Sequence, residues 1–323
     1  MDAPTVSITI VTWNSQNTIK ACLDALSRQT LPAQEVIVVD NNSTDGTRDI
    51  LQTYPTLKIL AQPTNLGFCK GHNLAMAQAQ GRYILPLNPD VIMTETYLAH
   101  LVKAAESDPQ VGMVSGKLLL APLEAEPSTP GLIDSTGLFL KKTRQQFLRG
   151  HGQPDLEPYH QPDYIFGACG AAPLYRREML EACKFEGQYF DENFFAYKED
   201  VDLAWRAQLF GWKSLYIPQA VAFHSRHFKP GQREGLSKEV RLHSVKNRYL
   251  LLVKNELPYT FIRHLWPILF YDLKILVYLL LFEQSSLRGL YQAVTLLPCA
   301  LRWRRFIMAH KQVDGPYMLA WMR

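Results

Sequence analysis

Two acidic constellations, far apart in the chain, carry the side chains best suited to chemistry. The first is Asn88-Pro89-Asp90, which closes an apolar run beginning at Tyr83. Pro89 has no amide proton to give to a sheet ladder, so a strand should end here and leave Asp90 on a stiff turn. A carboxylate held that way can ligate a divalent cation that carries a phosphate. The same three residue types also make an ordinary strand-ending turn. The second constellation is Glu199-Asp200, at the head of a stretch with Leu203, Ala204 and Ala207 at helical spacing and Gly211 at its end. At a helix N-terminus the dipole keeps a carboxylate ionised, and an ionised carboxylate beside Phe and Tyr rings can act as a general base toward a hydroxyl. Simple capping is the alternative. Asp202 points about 200° away on that helix and suits an i,i+4 pair with Arg206 instead. His224 follows a β-rich run, where an imidazole can meet a metal or a phosphate.

These side chains need a scaffold. Apolar β-rich runs at 6–11, 35–39, 58–60, 82–87, 111–115, 212–217 and 221–223 predict strands, and amphipathic stretches between the earlier ones predict helices. Such alternation implies an α/β fold with a parallel sheet covered on both faces and strand-end loops gathered on one edge. Trp13-Asn14, Asp40-Asn41 and Asn88-Pro89-Asp90 each follow a strand and are expected to share one crevice. An aromatic face, amides and a carboxylate suit a flat heterocyclic base with ribose hydroxyls, although residues 40–46 also read as a helix-capping loop. Neither GxGxxG nor GxxxxGK[ST] occurs, which argues against nicotinamide dinucleotides and Walker-type triphosphate binding. Residues 118–162 are proline-rich and aperiodic, as in a surface excursion or a hairpin crossing the active edge. In the segment 164–172, Gly167, Ala168, Cys169 and Gly170 allow close approach of a ligand or tight packing of backbone.

The bulk properties fit this picture. Of 323 residues, 47% are hydrophobic and 20% charged, as in ordinary globular chains. The first residues lack a basic segment leading into an apolar core, so no secretory signal is expected. Five scattered cysteines without CxxC suggest reduced thiols in the cytoplasm. The net charge of +4 is unevenly spread: residues 241–323 carry twelve Lys/Arg against four Asp/Glu, leaving −4 for residues 1–240. Within that basic segment, 265–282 is nearly long enough to span a bilayer but is interrupted by Pro267, Asp272 and Lys274. A helix lying in a membrane interface fits better than one crossing it. No nucleic-acid module is recognisable, and the oligomeric state is left open.

Seven blocks, in order, resemble the inverting family 2 glycosyltransferases of GT-A fold, in particular their rhamnosyltransferase-like branch. They are SITIVTWNS, VIVVDNNSTDGT, NLGFCKGHN, YILPLNPDV, FGACGAAPLYRRE, YFDENFFAYKEDVDLAWRA and GWKSLYIPQAVAFH, covering roughly residues 5–255. The resemblance implies a Rossmann-like sheet, with a nucleotide-sugar half at about 1–117, an acceptor half at about 118–240 and a helical membrane-associated extension at 241–323. It implies that Val11, Trp13, Asn14, Asp40 and Asn41 contact the nucleotide, that Asn65, Gly67 and Asn73 shape the pocket behind it, and that Gly167–Gly170 underlie the sugar and acceptor. Asn88-Pro89-Asp90 occupies the family's DxD position, with Asp90 and His224 near a Mg²⁺ or Mn²⁺ ion. Asp200 matches the catalytic base and Glu199 its neighbour. Asn88 departs from the DxD pattern and leaves one certain carboxylate for the cation. Arg302-Trp303 faintly echoes the QxxRW of processive members, but Cys299 stands where the Gln belongs, so a single-sugar transferase is expected. The implied donor is a nucleoside-diphosphate sugar, dTDP-rhamnose first; the implied acceptor is a lipid-linked or cell-surface glycan precursor, met on the inner membrane face. Two rivals are a sugar-phosphate nucleotidylyltransferase, which usually needs a basic Gly-rich loop after its first strand, and an inactive membrane scaffold of the same fold.

Overall fold

A computed structural model describes residues 5–121, 131–225 and 237–323. The N-terminal part alternates strand and helix: β1 Val6–Thr12, α1 Ile19–Ser27, β2 Glu35–Asp40, α2 Thr47–Gln52, β3 Leu57–Ala61, α3 Gly67–Gln78, β4 Tyr83–Leu87. A short strand β5, Val91–Met93, helix α4, Tyr97–Ser107, and the long strand β6, Val111–Leu120, follow. Next come β7 Ile133–Ser135, the hairpin β8 Leu138–Leu140 and β9 Gln146–Leu148, then β10 Asp163–Ile165, β11 Leu174–Arg176, α5 Arg177–Cys183, α6 Glu199–Leu209 and β12 Lys213–His224. The C-terminal part is helical: α7 Lys238–Asn255, α8 Pro258–Arg263, α9 Leu265–Phe282, α10 Leu287–Thr295, α11 Leu297–His310, α12 Gly315–Ala320.

The sheet runs β10-β12-β6-β11-β4-β1-β2-β3. It is mostly parallel, as expected, but β11 lies antiparallel between β4 and β6. The two strands expected at 212–217 and 221–223 are one, β12, with a register shift between Ile217 and Val221. The aperiodic region 118–162 contributes the end of β6, the strand β7 and the β8–β9 hairpin; residues 122–130 lie outside the described chain. Central strands are apolar on both faces because helices cover both: β4 is buried along its whole length.

The basic C-terminal segment does not hang free. Leu250, Leu251, Leu257, Ala300, Trp303, Ile307, Met318 and Met322 belong to the same buried cluster as Leu203, Ala204 and Trp205 of α6. Lys254, fully buried on α7, bonds Asp191 at 2.7 Å and Asp202 at 2.9 Å. Asp202 also takes the expected pair with Arg206, at 3.1 Å and buried. An ammonium so deep is tolerated because two carboxylates meet it; removing one member of such a set costs about 3–5 kcal/mol.

Candidate active site

One cleft of about 870 Å³ lies at the carboxyl edge of the sheet, and both acidic constellations line it. Its first wall holds Asn88, Asp90 and His224. β4 ends at Leu87, before the turn Asn88-Pro89-Asp90, and the chain passes straight into β5. β5 pairs antiparallel with the end of β12, Val91 opposite His224, and that register delivers Asp90 to the imidazole. Asp90 Oδ1 lies 3.3 Å from His224 Nε2, an ion-pair distance without hydrogen-bond geometry, and is otherwise buried and unbonded. On the far side, His224 Nδ1 meets Asp134 Oδ2 at 2.8 Å. Burial opposes a charge on His224, but the hydrogen bond to Asp134 and the facing Asp90 carboxylate outweigh it and its pKa is raised. Asp134 is fully buried on β7 and also lies 3.4 Å from His151. It sits in the aperiodic stretch, where a single Asp gives no sequence signal; only β7 pairing with β6 brings it here.

A cation fits this wall. Asp90 offers a buried oxygen with no hydrogen bond, and His224 can turn Nε2 outward while Asp134 holds the opposite nitrogen, the arrangement that orients histidine ligands. Among the described residues no group of three or more His, Cys, Asp or Glu surrounds a single point. Any ion here would therefore complete its shell with ligand phosphates and water, as Mg²⁺ commonly does.

The second wall holds Asp200, Glu199 and Gly170. Asp200 accepts hydrogen bonds from the Gly170 amide at 3.0 Å and the Val201 amide at 2.8 Å. These bonds and the N-terminus of α6 favour a carboxylate there. A Cβ on Gly170 would stand 3.2 Å from the Asp200 Cβ, so the glycine eases the close approach of this turn to the helix. The four small residues divide. Cys169 and Gly170 line the cleft, whereas Gly167 packs against Ala204 and Ala168 is fully buried behind it.

Glu199 departs from expectation. The dipole was expected to keep it ionised, but it is buried, its Oε2 has no partner, and burial followed by the Asp200 charge raises its pKa to about 8. Burial and the neighbouring Asp200 carboxylate thus favour the protonated form of Glu199. The approach to α6 is strained. Phe195 (φ 64°, ψ −62°) centres a γ-turn, with the Ala196 amide bonded to the Phe194 carbonyl at 2.8 Å. Tyr197 and Lys198 also have positive φ. Each such residue costs roughly 1–3 kcal/mol and persists only where its surroundings enforce it.

The nucleotide-facing candidates lie on the same sheet edge but do not line this cleft. Trp13 is 58% exposed at the end of β1, and Asn14 Oδ1 accepts the Thr44 amide at 2.8 Å, tying the first two strand-end loops together. Val11 is half-buried against α3, where Gly71 leaves it room. Asp40 and Asn41, expected at the nucleotide, and Asn73, expected to shape the pocket behind it, are hydrogen-bonded within the protein. Asp40 is buried and bonds Arg48 at 2.6 Å and Thr12 at 3.2 Å. Asn41 bridges the Gly67 carbonyl and the Leu66 amide. Asn73 spends both ends of its amide on Phe190 and neighbouring groups. Sequence spacing identifies the loop such residues organise, but not which way each side chain turns. Asn65 caps the turn by accepting the Gly67 amide at 2.8 Å, and Gly67, at φ 78°, has no room for a Cβ beside Phe195.

Residues 7–183 match the model of the family described as glycosyl transferase family 2. An N-acetylglucosaminyl-diphospho-decaprenol L-rhamnosyltransferase of Mycobacterium tuberculosis is 29% identical over 249 residues, 70% of this chain and 77% of that protein. Among solved structures, S. aureus TarS 1–349 in complex with UDP superposes with a TM-score of 0.57 at 19% identity, covering 98% of this chain and 92% of that one. The mannosyltransferase PcManGT from Pyrobaculum calidifontis, in complex with GDP-Man and Mn²⁺, gives 0.53 at 20% identity, covering 98% and 83%. With its mostly parallel GT-A sheet and a family match over more than half its length, this chain is a glycosyltransferase of family 2.

Proposed function

We propose that the enzyme transfers one sugar, rhamnose, from a nucleoside-diphosphate donor to a hydroxyl of a lipid-linked glycan precursor, with inversion. The observation that carries this reading is the cleft itself, with Asp90 and His224 on one wall and Asp200 on the other. The exposed Trp13 ring offers a stacking face for the base, with Val11 and Asn14 beside it; Asn88, Asp90 and His224 take the diphosphate end. Mg²⁺ or Mn²⁺, when bound, would offset charge on the departing diphosphate. Asp200 removes the acceptor hydroxyl's proton, and the hydroxyl oxygen attacks the anomeric carbon opposite the leaving group. A single base and a single displacement correspond to inversion. Gly170 keeps Asp200 in place, and Cys169 and Gly170 form the floor beneath the sugar. Rhamnose and the lipid-linked acceptor are supported by the mycobacterial relative's activity.

The membrane part of the proposal rests on α9. This helix is long and apolar enough to cross a membrane, yet Ile268 and Leu279 are buried on one face and Asp272 on that face pairs with Arg248 of α7 at 2.7 Å. Its other side presents Trp266 and Phe270, each about two-thirds exposed. A helix docked to protein along one face and bare along the other suits the interface of the inner membrane leaflet.

The test is a panel of nucleotide sugars, dTDP-rhamnose included, assayed for transfer to a polyprenyl-diphosphate-linked acceptor with Mg²⁺, Mn²⁺ or chelator. Turnover selective for dTDP-rhamnose and lost with chelator is expected. Selectivity for another donor overturns the sugar assignment, and undiminished turnover with chelator overturns the cation. Flotation with vesicles of anionic lipid checks the membrane part; protein left wholly in the soluble fraction overturns it.

A further inference from the structure

Helix α7 lies beyond the segment matched by the family model, and none of its residues lines the cleft. Yet one of its residues, Asn247, is fully buried against the strained approach to the base. Its Nδ2 stands 3.0 Å from the Phe194 carbonyl oxygen, 2.9 Å from that of Ala196 and 2.7 Å from that of Tyr197. An amide nitrogen has two hydrogens, so two donors serve three acceptors and one is shared. Three carbonyl dipoles converging on one point repel each other unless a donor sits among them. Phe195, Tyr197 and Lys198 in this segment have positive φ, so the chain would relax toward other conformations without that donor. The neighbours of Asn247 add to the hold. Lys246 Nζ donates to the Asn193 carbonyl at 2.5 Å, and the His243 ring stacks on Phe195 with centroids 5.0 Å apart. Ala196, Tyr197 and Lys198 then line the cleft immediately before Glu199 and Asp200.

We propose that Asn247 is a positioning residue for sugar transfer: its amide fixes the turn 194–198 and thereby the point at which α6 begins and Asp200 meets the Gly170 amide and the acceptor hydroxyl. The inference rests on Asp200 being the base. It makes α7 part of the catalytic apparatus and gives a reason for a buried amide with three carbonyl partners.

Asn247→Asp keeps the shape and removes both donors; Asn247→Ala removes the side chain; Asn247→Ser is the milder change, and decides the matter if the first two are not recovered folded. Each is compared with Val102→Ala, a core change in α4 remote from the cleft. Transfer kinetics use the donor that the panel above selects, and amide hydrogen exchange is followed in peptides spanning 192–202. Expected are faster exchange in that segment and a kcat lower by about 10- to 100-fold, the scale of a misplacement near 1 Å, with donor KM within twofold of the parent. Val102→Ala should lower Tm while leaving kcat and exchange at 192–202 unchanged. An Asn247→Asp protein with parental kcat overturns the proposal, as does a kcat loss without faster exchange. Retained transfer in Asp200→Asn would instead overturn the base assignment, while the exchange result still reports whether Asn247 holds the turn.

Discussion

The two walls of the cleft control charge in opposite ways. On the Asp90 wall, ionisable side chains face one another: Asp90, His224 and Asp134 form a line in which each carboxylate raises the imidazole's affinity for a proton. On the Asp200 wall, main-chain amides do the work: Gly170 and Val201 donate to Asp200, and buried Glu199, whose Oε2 has no hydrogen bond, has its pKa raised. A wall of side-chain charges can exchange a proton for a metal ion, so it suits a ligand that arrives and leaves with a cation. A wall of fixed amide dipoles holds one carboxylate in one orientation, which suits a base that must meet a hydroxyl repeatedly in the same place.

The largest test of this contrast is Asp200→Asn. It preserves the Gly170 contact through its carbonyl but cannot accept a proton, so transfer should fall by about 10²–10⁴-fold while calorimetric donor binding stays as in the parent. Parental turnover would mean that the amide-bound wall does not supply the base. A smaller effect belongs to the other wall. Asp134→Asn weakens the hold on His224 Nδ1 without touching ligand, and Mn²⁺-dependent nucleotide binding should weaken by about 10–100-fold. Binding measured in chelator should not change; an equal loss with and without metal would reduce Asp134 to a structural role.

The smallest effect concerns pH. Glu199 has its pKa raised from 4.5 to about 8 in the folded chain. Between those values the unfolded chain has released a proton that the folded chain keeps, so stability falls as pH rises through the window. Glu199→Gln, neutral throughout, should remove that part of the decline in Tm between pH 5 and pH 8. A parallel decline in both proteins would show that Glu199 does not ionise in this way.

Sequence legibility followed the range of the interactions. Residues at strand ends were readable because local chemistry sets them: the apolar run of β4 gives way to the turn-forming Asn88-Pro89-Asp90, and helical spacing starting at Glu199 puts Asp200 in the first turn of α6. The pair Asp202–Arg206 was readable for the same reason, since four residues on a helix are always neighbours. Orientation was not. Asp40 and Asn73 sit in the expected loop and helix but turn inward, because Arg48 and the Phe190 backbone, neither marked by spacing, satisfy them there. The basic C-terminal segment reads as a membrane-associated extension from its charge and apolar content; that Lys254 and Trp303 are buried against α6 and the 189–198 segment could not be read there.

The sequence alone therefore determined the alternating α/β scaffold, the strand-end position of Asp90, the helix-start position of Asp200 and the family, all of which depend on residues close together in the chain or on blocks in order. Tertiary structure decided which carboxylates are charged and which are spent on packing. It also brought Asp134 behind His224 and Asn247 behind the turn before Asp200. Burial and distant partners fix those outcomes: two amides meet the Asp200 carboxylate while burial raises the pKa of Glu199 beside it, and neither surrounding can be read from the residues next to it.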